Sequence, residues 1–218
     1  MTALAAVQRD ARRPALVGAG LLLLAAVLIT VANTGGFQPA DTAALGDGVA
    51  LRSPDPVGFA VLVTTLGNTV AHTLLGLAGG ALLWWRGHRA DGIYLAVTPP
   101  VASLVFTGIK QLLDRARPPA ELQVVRETNE SLPSGHATMA AAAVTALVLA
   151  VWPHVAARAR AVLVLLGAAW VTTVGLTRIY LGVHWASDVL AGWTLGAGIA
   201  VAGVAVTAFV LSRRRVAG

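Results

Sequence analysis

The chain has 218 residues, of which 56% are hydrophobic and only 12% charged. Soluble domains carry about 25% charged residues, so a purely aqueous setting is excluded, and the length suits one compact membrane domain. The absence of cysteine excludes disulfides, thiolate chemistry and cysteine metal sites. The net charge of +6 sits on arginines at the edges of apolar blocks, with no basic stripe interleaved with aromatics, which speaks against nucleic acid as a partner.

A bilayer crossing needs about 20 mainly apolar residues in a helix. Six stretches qualify, at about 14–32, 57–85, 92–113, 137–152, 161–176 and 189–211. They predict an all-α fold, a polytopic bundle of six transmembrane helices forming a single domain over 1–218. Arg9, Arg12 and Arg13 before the first stretch give it the look of a signal peptide. Its apolar run exceeds the 7–15 residues of such a segment and no small-x-small site follows, so it is read as a retained span. Segment 35–56 reads as a loop with room for a short interfacial helix. The second stretch is long enough to cross with tilt. Gly76 with Gly80, and Gly192 with Gly196, have the spacing that lets helix backbones approach. Incidental glycine in a glycine-rich chain reads equally well.

Basic residues collect on the cytoplasmic side of a membrane protein. With six spans, Arg9, Arg12, Arg13, Arg86, Arg89, Arg158, Arg160, Arg213, Arg214 and Arg215 share one side. Arg52, Lys110, Arg115, Arg117, Arg126 and Arg178 share the other, with eight of the ten acids. Both termini are therefore expected in the cytoplasm, with loops 33–56, 114–136 and 177–187 outside. Lys110 is the one lysine in a chain that otherwise uses arginine.

In so apolar a chain the informative residues are the polar ones at span ends, and three groups stand out. The first is KQLLDRARP, Lys110 to Pro118, which taken alone also reads as cations snorkelling at a helix end. The second is LPSGHA, Leu132 to Ala137, where Ser134 and Gly135 start a helix whose free N–H groups bind phosphate and His136 stands at its mouth. A proline–serine helix cap with a stray histidine is the plainer reading. The third is TRIYLGVHWASD, Thr177 to Asp188. His184 and Asp188, four apart, share a helix face, and a carboxylate on one imidazole nitrogen leaves the other free to attack. Arg178 has the planar fork that chelates phosphate. An interfacial tyrosine–histidine–tryptophan belt is the alternative. All three groups fall on the same predicted side, which favours one site. Together they supply cations, a nucleophile and an acid, the equipment of phosphoryl transfer. Metal binding by His136, His184 and Asp188 is disfavoured by the surrounding cations, so neither metal nor cofactor is expected. His72, inside the second span near Asn68, reads as a packed interhelical hydrogen bond; His88 and His154 read as solvated loop residues.

These motifs resemble the type 2 phosphatidic acid phosphatase superfamily, the lipid phosphate phosphatases, whose signature is K-x6-RP, PSGH and SR-x5-H-x3-D. Lys110, Arg117 and Pro118 match the first part, Pro133 to His136 the second, and Arg178, His184 and Asp188 the third. Thr177 stands where the family usually has serine and keeps the hydroxyl. The resemblance covers the chain from the third span onward and implies a metal-independent reaction. By it, His184 attacks phosphorus, Asp188 orients His184 and His136 protonates the leaving oxygen. Lys110, Arg117, Ser134, Gly135 and Arg178 would hold the phosphate. Soluble vanadium haloperoxidases share the motifs, but six spans and the short stretch from Arg117 to His136 argue against that relative. The implied substrates are lipid phosphates or diphosphates: undecaprenyl diphosphate first, because an outward site suits carrier recycling, then phosphatidylglycerophosphate and phosphatidic acid. The competing reading is a non-catalytic lipid-binding protein or small transporter of the same shape, motivated by the six spans and His72.

Overall fold

The computed structural model describes residues 11–216, the side chains of 214–216 excepted. Arg9 therefore lies outside the described residues, as do the side chains of Arg214 and Arg215. Eight α-helices follow in order: α1 (Arg12–Asn33), α2 (Gln38–Ala50), α3 (Pro54–Leu66), α4 (Thr69–Trp85), α5 (Arg89–Leu113), α6 (Gly135–Val151), α7 (Ala157–Tyr180) and α8 (Ala186–Val216). Among the described residues there is no strand. Helices α1, α5, α6, α7 and α8 are each long and apolar enough to cross a membrane, α6 when continued through its terminal turn to His154. Helices α3 and α4 qualify as a bent pair.

The bundle is apolar on the outside and polar within. Leu23, Leu104 and Leu165 are 68%, 75% and 69% exposed, whereas Lys110, Arg178, His184 and Asp188 are all buried. That inversion suits hydrocarbon as the solvent, where ionisable groups turn to the bundle interior. The centre is α6, whose residues Ala140 to Ala143 are almost wholly enclosed. It is flanked by α4, α5, α7 and α8, while α1 lies along α8. Small side chains bring α6 and α8 together. A Cβ on Gly196 would lie 2.2 Å from the Thr138 carbonyl oxygen, and one on Gly192 2.8 Å from that of Ser134. The glycine spacing is therefore structural here.

One expectation about the first third of the chain is corrected and another is sharpened. The stretch 57–85 is not one tilted helix, because α3 and α4 meet at Gly67 and Asn68 with a 49° bend. The Asn68 side chain accepts the Ala71 N–H at 2.8 Å and caps α4, so a new helix starts inside an unbroken apolar run. Segment 35–56, read as a loop with room for a short helix, does hold such a helix and is more helical than loop. Helix α2 starts on Pro39 near its N-terminus and packs against α7 and α8. Its Asp41 is buried.

His72 bridges helices. Its Nε2 accepts from Trp170 Nε1 at 3.1 Å and its Nδ1 faces the Asn68 carbonyl at 3.0 Å. A tryptophan N–H only donates and a carbonyl only accepts, so the proton is on Nδ1. His88 and His154, expected to be solvated, are half-buried instead. Their rings stack with centroids 3.7 Å apart, and His154 Nε2 lies 2.9 Å from a carboxylate oxygen of the fully buried Asp91. The shortness of the two turns after α4 and α6 forces these rings together.

Candidate active site

His184 lies in the short turn between α7 and α8, which Gly182 makes possible with φ +72°. A Cβ there would also meet the Leu122 carbonyl oxygen at 2.2 Å. The turn is fixed by Val183 and His184 N–H groups donating to the Arg178 carbonyl at 3.1 and 3.2 Å. Asp188 follows in the first turn of α8. Because His184 precedes that helix, the two do not share a helix face as the spacing suggested, and the turn itself folds the ring back onto the carboxylate. His184 Nδ1 is 3.3 Å from Asp188 Oδ2 and 3.4 Å from Ser131 Oγ. Its Nε2 faces Arg117 Nη1 at 3.1 Å. Arginine only donates, so Nε2 carries the lone pair and Nδ1 the proton. The ring is buried, and burial, followed by the charges of Arg117, Arg178 and Lys110, lowers its pKa well below the usual 6.5. The imidazole is therefore neutral at pH 7, the state a nucleophile needs.

Asp188 is itself held by a network that the motifs did not reveal. Ser131 Oγ donates to Oδ2 at 2.5 Å and the Trp185 N–H donates to the same oxygen at 3.0 Å. Arg115 pairs with Oδ1. The other arm of Arg115 reaches Asp41 Oδ2 on α2 at 2.9 Å, and Asp41 accepts from both the N–H and the hydroxyl of Ser187. The Ser134 N–H donates to the Asp188 carbonyl at 3.0 Å, which locks the start of α6 to the start of α8.

Beside His184 is a cavity of about 360 Å³ whose wall includes Lys110, Arg117, Glu127, Gly135, His136 and His184 itself. Lys110, near the end of α5, donates to the carbonyls of Glu130 and Ser131. Arg117 is braced by Asn129, through its carbonyl at 2.7 Å and Oδ1 at 2.5 Å, and by the Val183 carbonyl at 2.5 Å. Burial lowers its pKa, opposed by Glu127 and Asp188. Five of the eight sequence-predicted site residues thus line one cavity. Asp188 stands behind His184. Ser134 is buried as the N-cap of α6 and accepts from the Ala137 N–H. Arg178 is buried off the wall and holds Thr64 Oγ1 and Glu127 Oε1, each at 2.5 Å. Its Nε has no partner. Thr177 turns its hydroxyl to the Val174 carbonyl at 2.7 Å and does not line the cavity.

Ser131, Arg115, Asp41, Glu127 and Thr64 were not singled out in the sequence. Arg115 had a signal, as a third cation inside KQLLDRARP. Glu127 had one too, as an acid among cations. It touches Arg178 and lies 3.9 Å from Arg117, the place an anionic ligand would take.

A buried histidine–carboxylate pair beside an arginine- and lysine-lined cavity, at one end of an apolar bundle, is an arrangement able to receive a phosphate group. The model of the PAP2 superfamily matches residues 91–212, and the chain belongs to that superfamily. It is similar to phosphatidylglycerophosphatase B of Bacillus subtilis, with 27% identity over 81% of this chain and 87% of the relative. It is also similar to an undecaprenyl-diphosphatase of Sulfolobus acidocaldarius, with 31% identity over 57% of this chain and 59% of that protein. A crystal structure of a transmembrane PAP2-type phosphatidylglycerolphosphate phosphatase from Bacillus subtilis shares the fold, with a TM-score of 0.77 at 24% identity, covering 90% of this chain and 96% of the other. The chain is a multi-pass membrane phosphatase.

Proposed function

We propose that the chain hydrolyses a lipid phosphate or diphosphate monoester through a phosphohistidine on His184. The observation that carries this reading is the orientation of one ring: Nδ1 is held by Asp188 and Nε2 faces Arg117, in a side chain that lines the cavity shared with His136 and Lys110. The entering phosphate displaces Glu127 and takes over the arginine donors. The Nε2 lone pair attacks phosphorus, and an N–P bond forms as the P–O bond to the leaving group breaks. His136 gives that oxygen a proton. Water then attacks the phosphohistidine and delivers its proton to His136. The N–P bond breaks toward the imidazole, and inorganic phosphate leaves. Asp188 keeps the proton on Nδ1 and stabilises the charge the ring gains. Lys110, Arg117 and Arg178, with the N–H groups beside Ser134 and Gly135, neutralise the phosphoryl oxygens.

Family membership favours this reading over a transporter or passive lipid binder, and His72, the residue that motivated the alternative, is occupied between Trp170 and Asn68. The relatives, a phosphatidylglycerophosphatase and an undecaprenyl-diphosphatase, support testing undecaprenyl diphosphate and phosphatidylglycerophosphate first, with phosphatidic acid as the third lipid of the panel. The arginine distribution supports cytoplasmic termini and an extracytoplasmic site. The test is phosphate release from those three lipids by purified protein in detergent with EDTA. At least one lipid is expected to turn over, with the rate lost in His184→Ala. Undiminished release by His184→Ala would overturn the mechanism.

A further inference from the structure

The catalytic cavity leaves unused a second cluster at the opposite end of the bundle. His88 caps the N-terminus of α5, Asp91 lies in the first turn of that helix, and His154 ends the turn after α6. Lys110 is 22 residues along α5 from His88, about 33 Å at the helical rise of 1.5 Å per residue. One donor atom from each of His88, Asp91 and His154 lies within 4.8 Å of the others. A tetrahedral site with bonds of about 2.0–2.1 Å needs somewhat closer donors, a gap that ring rotation at the two half-buried histidines can close.

The independent sign of a missing ligand is Asp91. Its carboxylate is wholly buried, Oδ2 is bonded to His154, and Oδ1 has no hydrogen-bond partner among the described residues. A buried oxygen without a partner costs about 1–3 kcal/mol and asks for an explanation. Each of the stacked imidazoles brings a nitrogen within 4.8 Å of an Asp91 carboxylate oxygen, and a cavity of about 440 Å³ reaches both histidines. The neighbouring cations are turned aside. Arg89 lies over Trp84, and Arg160 lies over Trp152 with its Nε on the Trp152 carbonyl. Arg86, on the cavity wall, is exposed and screened by solvent.

We propose that His88, Asp91 and His154 bind a divalent transition-metal ion of the zinc class, tying the α4–α5 turn to the α6–α7 turn. Two imidazoles and one carboxylate suit such an ion, whereas calcium and magnesium prefer all-oxygen shells. Three protein ligands leave a fourth position for water from the cavity. The ion is remote from His184 and takes no part in phosphate transfer.

The test uses the full chain, purified in detergent without a polyhistidine tag and stripped with EDTA. Zn²⁺ is titrated against a chromophoric chelator, and Co²⁺ is followed by its visible ligand-field bands. One equivalent is expected to bind, with tetrahedral Co²⁺ bands. Asp91→Asn and His154→Ala should weaken binding by more than about tenfold, while His184→Ala should leave it intact. Should Asp91→Asn not fold, His88→Ala carries the same expectation, together with unchanged phosphate release. No binding to the wild-type chain, or binding lost in His184→Ala but retained in His88→Ala, overturns the proposal.

Discussion

The proposed mechanism turns on one nitrogen atom, Nε2 of His184, and the residues around it differ in how directly they would touch the reaction. Asp188 holds the His184 tautomer, so Asp188→Asn should lower kcat by roughly 10⁴-fold, the cost of a wrong tautomer in a comparable pair, with little change in KM. Steady-state kinetics on the best lipid substrate checks this. Glu127 has the opposite effect, because its carboxylate occupies Arg178 and approaches Arg117 in the structure described here. Glu127→Gln removes that competing charge and should lower KM several-fold, by roughly 1 kcal/mol, with kcat much less affected. An unchanged or raised KM would show that Glu127 assists substrate instead. His184, Asp188, Lys110, Arg117, His136 and Arg178 were legible because three short motifs fix their spacing. Asp41 and Ser131 were not, since one of three aspartates in a mixed segment and one serine near a helix cap carry no periodic signal. Their meaning comes only from the fold that brings them to Arg115 and Asp188.

At the level of elements, the site is built from helix ends that must be held at close distance. The junction of α6 and α8 does this through glycine. Gly196→Ala would press a methyl group into the Thr138 carbonyl and should destabilise the fold by about 1–3 kcal/mol. A thermal-shift measurement in detergent checks that, with Gly20→Ala, which meets nothing within 4 Å, expected to be neutral. Helix bounds from hydropathy were readable wherever one apolar block made one helix. The break at Gly67 and Asn68 was hidden because both arms are apolar, so the capping asparagine was outweighed by its neighbours. Helix α2 was obscured for the converse reason. Its sequence is mixed in character, and it is held by Asp41 reaching α8 rather than by an apolar stripe.

For the whole molecule, an apolar exterior and a polar interior set the His184 cavity at one end and the His88–Asp91–His154 cluster at the other. Single cysteines in this cysteine-free chain report the orientation. A cysteine at the exposed Ala120 should react with an impermeant reagent in intact cells, and one at the exposed Ala156 only after lysis; the reverse pattern would invert the topology. The bundle, the cation-lined cavity and the buried carboxylate converge on Nε2 of His184, so the most direct measurement is of the bond that atom forms. Enzyme mixed with ³²P-labelled lipid phosphate, quenched in base during turnover and mapped by peptide mass spectrometry should carry an acid-labile, base-stable phosphate on His184. Label on another residue, or full turnover with no phosphoenzyme at any quench time, would contradict the histidine nucleophile.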